Sequence, residues 1–340
     1  MLSSKSVLHR RLRTFVDWIA PDSEREQEIR DQSARIRERI KAKAAADGLT
    51  VRSTPNSGSF AKRTGLRRHM RGTSEIEGQD IDLAFVVSPK TKDAEMLDSL
   101  LDRFLGYAQE AYPDNAPDEP TNSSVVLTFQ NTKLQYDIVP MLAVSGTDDE
   151  QILLQRNGNR RRTSVQKHTE FVRSRNWKSN EQPGRVKVNE CIRLFKWWRC
   201  VHFEDDTIPS IVCDLVCAKA FDERGVRSTY GETLADWFGW AAHAVRSRTP
   251  ISFNDYLVSP LAPRSGAEWQ VIDPVNRENN IVERWNWSQL DELSDKLETT
   301  RDMLNRAISQ DERQQHPQSL SSLEFVFGSA IRHHCGGDEA

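Results

Sequence analysis

PNSGSFAKRT at residues 55–64 and QDIDLAFVV at residues 79–87 decide the reading of this chain. The first stretch is a Gly58-Ser59 turn that opens a short helix. The second is a strand carrying two aspartates one residue apart, Asp80 and Asp82. Successive strand side chains point to opposite faces, so Asp80 and Asp82 share one face while Ile81, Leu83 and Phe85 turn into the core. Two carboxylates held side by side repel each other unless a cation sits between them. Magnesium takes oxygen ligands and is held by one or two carboxylates together with substrate phosphates. Gly58 lets a phosphate approach the backbone, and N–H groups at the start of the following helix favour an anion. The Ser59 hydroxyl can donate to a β- or γ-phosphate oxygen. The stretch therefore describes a site for a nucleoside triphosphate with metal ions. Each half alone is unspecific, since D-x-D is common on exposed strands and a serine before a helix is an ordinary cap. Their succession carries the reading.

Asp137, in LQYDIVPML, extends it. A lone acid in an otherwise apolar strand is costly unless paired or metal-bound. An adjacent strand brings it beside Asp80 and Asp82; the alternative is a salt bridge at a strand end. Three carboxylates can hold two ions about 3.5–4 Å apart, one activating a hydroxyl and one stabilising a leaving oxygen. Two Mg2+ ions are the expected cofactor, with Mn2+ as a substitute.

Composition sets the bounds. The chain has 340 residues, enough for two lobes at about 100–200 residues each. Its 47 basic and 50 acidic side chains leave a net charge of -3, which argues against a stable duplex nucleic-acid binder. The five cysteines include no CxxC pair and suit free thiols in a reducing cytosol. The N-terminal residues lack a true apolar run, and no uninterrupted apolar stretch is long enough for a bilayer. A cytoplasmic protein without a signal peptide or membrane contact is expected.

Along the chain, residues 1–20 place Leu8, Leu12, Phe15 and Ile19 at near-helical spacing. Ser23 to Glu26 has the form of a capping box, and a long charged helix follows to Gly48. Its narrow apolar stripe of Ile29, Ile36 and Ile40 predicts an outer helix that bridges two lobes. Residues 67–78 read as an exposed basic loop, residues 92–107 as a helix, and residues 124–130 with 134–139 as a strand pair. Residues 145–185 are polar. From Val186 the pattern is helical at 187–203, 208–222 and 232–245, irregular at 250–287, and helical again at 288–310. Most of the tryptophans of the second half of the chain, from Trp177 on, are expected in the core or at a lobe interface. The fold class is α+β, with a catalytic lobe at 1–185 and a helical lobe at 186–340.

Gly-Ser, then D-x-D, then a third Asp on a later strand resembles the nucleotidyltransferase superfamily that includes DNA polymerase beta. SGSFAKRT, DIDLAFVV, LQYDIVPML, RLFKWWR and VIDPVNRENNIVERW narrow this. Together they resemble the bacterial CD-NTase family, relatives of cyclic GMP-AMP synthase and oligoadenylate synthase, over about residues 50–330. The resemblance implies a mixed-sheet polymerase-beta-like lobe, a helical lobe and an active-site cleft between them. It implies Asp80, Asp82 and Asp137 as metal ligands and Gly58 and Ser59 as the triphosphate turn. Lys196 and Ser210 match residues near the triphosphate, and Asp273 and Asn280 match the segment bordering the donor base. Other readings stay open: Lys196 beside Trp197 and Trp198 can snorkel at a helix edge, and DPVNRENN can be an Asx-rich turn.

The implied activity is synthesis of a cyclic di- or trinucleotide second messenger from ATP and/or GTP in anti-phage defence. Nucleotidyl transfer to a small molecule, protein or RNA end is the alternative. The implied partners are an accessory regulator, a downstream effector that binds the product, and a C-terminal conjugation apparatus. The tail RHHCGGDEA permits the last, although fraying of His333, His334 and Cys335 is expected. The connection between the Gly-Ser turn and Asp80 is longer than usual for the family. Its Arg67, Arg68, His69 and Arg71 are read as solvated, with phosphate or partner contacts as alternatives; His69 is not placed as a general base.

Overall fold

The computed structural model describes residues 6–71, 74–76, 78–79, 81–88, 99–182, 186–203, 207–257 and 266–336. Asp80 and residues 92–98 of the helix expected at 92–107 lie outside them. By internal contacts the chain divides into Pro21–Glu170 and a second unit of Met1–Ala20 with Phe171–Ala340. This contact boundary lies at 170/171, within a helix, and groups the first twenty residues with the C-terminal half.

In the Pro21–Glu170 unit, helix α2 (Ser23–Ala46) starts one residue earlier than its sequence suggests. Asp22 is the cap, its carboxylate accepting the Arg25 N–H at 2.7 Å, so Ser23 is already helical. The charged helix buries a single stripe: Ile29, Ile36, Ile40 and Ala44 lie in the unit's core. Gly48 follows with φ 73°, the left-handed turn that ends a helix and suits glycine. Strands β1 (Val51–Ser53) and β2 (Asn56–Ser57) lead into the short helix α3 (Gly58–Lys62). The stretch read as an exposed loop instead forms a hairpin, β3 (His69–Arg71) with β4 (Ser74–Ile76). Leu66 N–H donates to Gly78 O at 2.8 Å and closes its base. Strand β5 (Asp82–Val87) follows, then helix α4 (Leu100–Ala111), the expected strand pair β6 (Val125–Phe129) and β7 (Leu134–Ala143), and two strands hidden in the polar stretch, β8 (Gln151–Leu154) and β9 (Arg160–Thr163).

Seven of these strands form one mixed sheet, while β3 and β4 pair only with each other. Its path runs β1–β5–β7–β8–β9, with β2 also on β5 and β6 also on β7. Among the described residues of this sheet only the β5–β7 pair is parallel. Leu83, Phe85 and Val87 of β5 and Leu134, Tyr136 and Ile138 of β7 pack with α2 and with Leu101, Phe104 and Tyr107 of α4. Ala84 and Met141 face the other way and meet Val165. Burying one sheet face under two helices fixes strand register, because a one-residue slip would turn every core side chain outward.

Helix α5 (Val165–Asn180) contains the unit boundary. Its apolar residues are too few for a clear period, but Ser164 caps it, accepting the Lys167 N–H at 3.2 Å. The second unit holds α1 (Val7–Ile19), α6 (Val188–His202), α7 (Ser210–Arg224), α8 (Tyr230–Arg246), the hairpin β10 (Ile272–Asp273) and β11 (Asn276–Asn280), α9 (Trp287–Glu312), α10 (His316–Phe327) and α11 (Ser329–Cys335). Tryptophans build its core and pair their polar edge as burial requires. Trp198 Nε1 donates to Thr300 Oγ1 at 2.7 Å and Trp197 Nε1 to Phe327 O at 2.9 Å. Phe15 of α1 meets Trp197 edge-on, which is why the N-terminal helix belongs here. Trp177 and Trp287 are the exposed exceptions among the described tryptophans. The tail departs too: α11 is ordered through Cys335, which is buried, and His334 stacks on Trp18 with centroids 3.9 Å apart. No described helix is long and apolar enough to cross a membrane.

Candidate active site

Asp82 and Asp137 are register partners across the parallel β5–β7 pair. Their sequence neighbours Ile81, Leu83, Tyr136 and Ile138 all enter the helix-packed core. Both carboxylates therefore project from the opposite face, on adjacent strands. Asp137 N–H donates to Ile81 O at 3.0 Å, tying the two strands at this level. Ser124 Oγ donates to Asp137 Oδ1 at 2.5 Å and fixes that carboxylate; Thr121 Oγ1 lies 2.8 Å from the same hydroxyl and accepts the Ser124 N–H.

The turn sits at the same level. Ser57 pairs with Asp82 across the antiparallel β2–β5 ladder, so the chain leaves the sheet at Gly58 directly beside that aspartate. Gly58 has φ 68°, a conformation that a side chain disfavours. Ser59 is buried in α3, and its carbonyl accepts the Thr64 N–H at 3.0 Å. Gly58, Ser59, Asp82 and Asp137 are thus gathered by one strand row within one unit.

The donor set fits a hard divalent cation. Two carboxylates on one face supply only oxygen, the ligand type Mg2+ takes, and a third is placed by sequence at Asp80, outside the described residues. Among the described residues no group of three or more His, Cys, Asp or Glu gathers elsewhere as a rival metal site. Three of the thiols are poor nucleophiles: burial pushes Cys213 up to about 11, and Cys191 and Cys217 rise well above their ordinary value for the same reason.

The remaining sequence candidates belong to the second unit. Lys196 of α6 is buried, its Nζ 2.8 Å from Asp214 Oδ1, with both side chains 5% exposed or less. Ser210 opens α7 and Asp214 stands one turn further along it, so the ion pair brings Lys196 to the start of the helix that Ser210 begins. Asp273 and Asn280 sit in the β10–β11 hairpin and hold it together. Asp273 accepts from Val275 N–H and from Asn279 Nδ2, each at 2.9 Å. Asn280 donates to Trp269 O and accepts from Val271 N–H, again at 2.9 Å. This is the turn-building use of Asx side chains.

In the basic stretch, Arg68 donates to Thr132 O at 2.7 Å and a ring nitrogen of His69 meets Arg67 O at 2.9 Å. The solvated reading of these two side chains is therefore replaced by local anchoring. Sequence reasoning missed Ser124 and Asp214. Neither stands in a motif; only strand register and helix phase bring them to Asp137 and Lys196.

Known proteins share this architecture. A family model described as Second Messenger Oligonucleotide or Dinucleotide Synthetase domain matches residues 7–176. The chain is 27% identical over 342 residues to the cyclic AMP-AMP-AMP synthase of Escherichia coli (strain MS 115-1), covering 97% of this chain and 100% of that protein. It is 25% identical over 241 residues to a CBASS oligonucleotide cyclase, CdnC, of Escherichia coli (strain KTE188), covering 70% and 71%. Among solved structures, E. coli MS115-1 CdnC with ATP superposes with a TM-score of 0.74 at 26% identity, covering 95% and 98%. The complex of that CdnC with HORMA-deltaN gives the same score. Vibrio cholerae DncV cyclic AMP-GMP synthase with nonhydrolyzable GTP, at 0.66 and 16% identity over 96% of each chain, shares the fold.

Proposed function

Because the chain belongs to the Second Messenger Oligonucleotide or Dinucleotide Synthetase family and is a nucleotidyltransferase that makes cyclic oligonucleotides, we propose that it joins ATP, alone or with GTP, into a cyclic di- or trinucleotide messenger of CBASS anti-phage defence. The observation that carries the chemistry is the Asp82–Asp137 register pair beside the Gly58–Ser59 turn. The full-length relative named a cyclic AMP-AMP-AMP synthase and the neighbour solved with ATP support adenylate as a building block.

In this reading a ribose hydroxyl of one nucleotide attacks the α-phosphorus of another. The new P–O bond forms as the α–β anhydride bond breaks, pyrophosphate leaves with the electron pair, and the hydroxyl proton passes to solvent. A final intramolecular round closes the ring. The Gly58–Ser59 turn binds the outgoing phosphates. Asp82 and Asp137, with Asp80, would hold Mg2+, which when bound neutralises triphosphate charge and activates the attacking hydroxyl. Ser124 keeps the Asp137 carboxylate turned to that task. Lys196 sets the start of α7, where Ser210 stands, through Asp214 within the second unit. Positioning and charge stabilisation do most of the work in phosphoryl transfer, and no dedicated base is required. An accessory protein as activator is supported by the neighbour's HORMA-deltaN complex and by a net charge of -3, which offers no broad basic surface for DNA.

Mass spectrometry of products from all four ribonucleoside triphosphates with magnesium tests this. A phosphatase-resistant cyclic product containing adenylate is expected. Label fixed on a different acceptor, or linear products alone, would overturn it.

A further inference from the structure

One polar side chain beside the turn is unaccounted for. Gln79 immediately precedes the acidic strand and is only 6% exposed. Its Nε2 is buried and has no hydrogen-bond partner among the described residues. Native structures rarely leave such a donor unpaired, and those that do usually reserve it for a ligand or a catalytic state.

Its surroundings point to the state that would satisfy it. Gly65 lies where a Cβ would stand 3.0 Å from Gln79 Cγ, 3.4 Å from Ser59 Oγ and 3.5 Å from Gln79 Oε1. The Gln79 amide and the Ser59 hydroxyl therefore close over one point on the backbone, where a side chain would crowd the Gln79 methylene. Two backbone bonds hold the arrangement, Thr64 N–H to Ser59 O at 3.0 Å and Leu66 N–H to Gly78 O at 2.8 Å. The amide torsion of glutamine is broad and soft, so turning Nε2 toward Ser59 needs no backbone movement.

We infer that Gln79 is a positioning residue for Ser59, donating through Nε2 to Ser59 Oγ when a nucleoside triphosphate is bound. A hydroxyl has one hydrogen and two lone pairs. Once its oxygen accepts from Gln79, its own hydrogen is directed to the remaining acceptor, a phosphate oxygen. The amide is unsatisfied without nucleotide and paired with it, so binding gains a hydrogen bond beyond those the phosphates make. The inference rests on the nucleotide reading of the Gly58–Ser59 turn.

The test uses the full chain and its Gln79→Met, Gln79→Glu, Ser59→Ala and Gln79→Met/Ser59→Ala variants. Affinity for a nonhydrolysable ATP analogue is measured by calorimetry, KM and kcat by pyrophosphate release, and melting temperature without nucleotide. Gln79→Met, which removes an unpaired buried amide, is expected to melt no lower than the parent while binding the analogue about tenfold more weakly, the value of one hydrogen bond. The loss should appear in KM more than in kcat. Gln79→Glu keeps the shape but replaces the donor with an acceptor, and should bind more weakly still. The double variant should match Ser59→Ala, because Gln79 acts through that hydroxyl. Unchanged affinity in Gln79→Met and Gln79→Glu, or losses that multiply in the double variant, would overturn the inference and leave the nucleotide site standing. A parent that binds no nucleotide under any condition overturns both.

Discussion

Asp82 and Asp137 stand opposite each other in the parallel β5–β7 ladder, and the hydroxyl of Ser124 holds the second of them at 2.5 Å. Parallel register places their carboxylates side by side with only one strand spacing between them, about 4.8 Å. Unshielded, that arrangement is repulsive; around a cation it is a ligand pair. Replacing either with Asn keeps the shape and removes the charge. Asp82→Asn and Asp137→Asn are expected to lower the rate of pyrophosphate release by about a thousandfold or more, since the charge stabilisation at stake is several kcal/mol. Melting temperatures without metal should hold or rise, because like-charge repulsion has been relieved. A folded Asp82→Asn variant with parental turnover would exclude the assignment. Ser124→Ala, which frees the carboxylate without removing it, should cost about ten- to a hundredfold in activity or metal affinity, as outer-shell changes do.

Lys196 matches a triphosphate contact by resemblance, yet its ammonium is 2.8 Å from Asp214 with both groups buried. Removing one member of a buried pair strands the other charge, which typically costs about 3–5 kcal/mol. Lys196→Met is accordingly expected to lower stability by that order in urea denaturation. Asp214→Leu should do the same, and the double replacement should recover most of the loss. A direct phosphate contact predicts a different pattern, with weaker nucleotide binding but near-parental stability. Denaturation and nucleotide titration of the same three variants separate the two roles.

The sequence revealed what depends on local pattern. The acidic strand from Asp82, the Gly-Ser turn and the apolar periods of α6, α7 and α8 each follow from side chains close together in the chain, and the structure has these elements within a few residues. Asp137 was legible because a lone acid in an apolar strand needs a reason. Helix α5 was hidden because only Ser164 and a few apolar residues mark it. Strands β8 and β9 were hidden because they lie in a polar stretch, with the basic Arg160, Arg161 and Arg162 standing opposite Leu154, Leu153 and Ile152 in the ladder. The ordered tail was invisible because its order comes from His334 stacking on Trp18, at the far end of the chain. Asn280 shows the limit most plainly: its amide serves Trp269 O and Val271 N–H, backbone groups that no motif names.

Asp47, Arg103 and Tyr107 join the end of α2 to α4 and should make stability depend on pH at both extremes. Tyr107 O–H donates to the Asp47 carboxylate, and Arg103 Nε donates to the same oxygen at 2.8 Å. The Tyr107 hydrogen bond, then that of Arg103, holds Asp47 below its ordinary value. Burial, then the bond to Asp47, pushes the Tyr107 phenol from 10.0 up to about 12. Between pH 10 and about 12 the folded state keeps a proton that the unfolded chain has lost, so stability falls as pH rises through that window. At the acid end the Asp47 contribution is present above the ordinary carboxylate range and is lost as pH falls through its lowered value. Tyr107→Phe is expected to cost about 1 kcal/mol at neutral pH, a modest figure because Asp47 is half exposed and screened. It should also flatten the loss between pH 10 and about 12. Denaturation series across pH, with tyrosinate absorbance compared between parent and variant, check both; an unchanged alkaline limb would exclude this assignment.

Gly78 closes the base of the β3–β4 hairpin two residues ahead of Asp80, and there is no room for it to be anything else. A Cβ there would stand 2.5 Å from Arg67 O and 2.6 Å from Leu66 O. Those are backbone atoms, held by the Leu66–Gly78 hydrogen bond, and they cannot rotate aside as a side chain would. Gly78→Ala must therefore push the two legs of the hairpin apart, at a cost of about 1–3 kcal/mol. The displacement falls on Gln79 and the entry to the acidic strand, so turnover should drop by more than the loss of folded protein explains, even far below the melting temperature. Gly106 is the control. It lies within α4, where a Cβ would meet nothing within 4 Å, so Gly106→Ala should stabilise the helix by about 0.5–1 kcal/mol and leave activity unchanged. If Gly78→Ala instead behaves like Gly106→Ala in melting and turnover assays, the hairpin does not set the position of the strand that follows it.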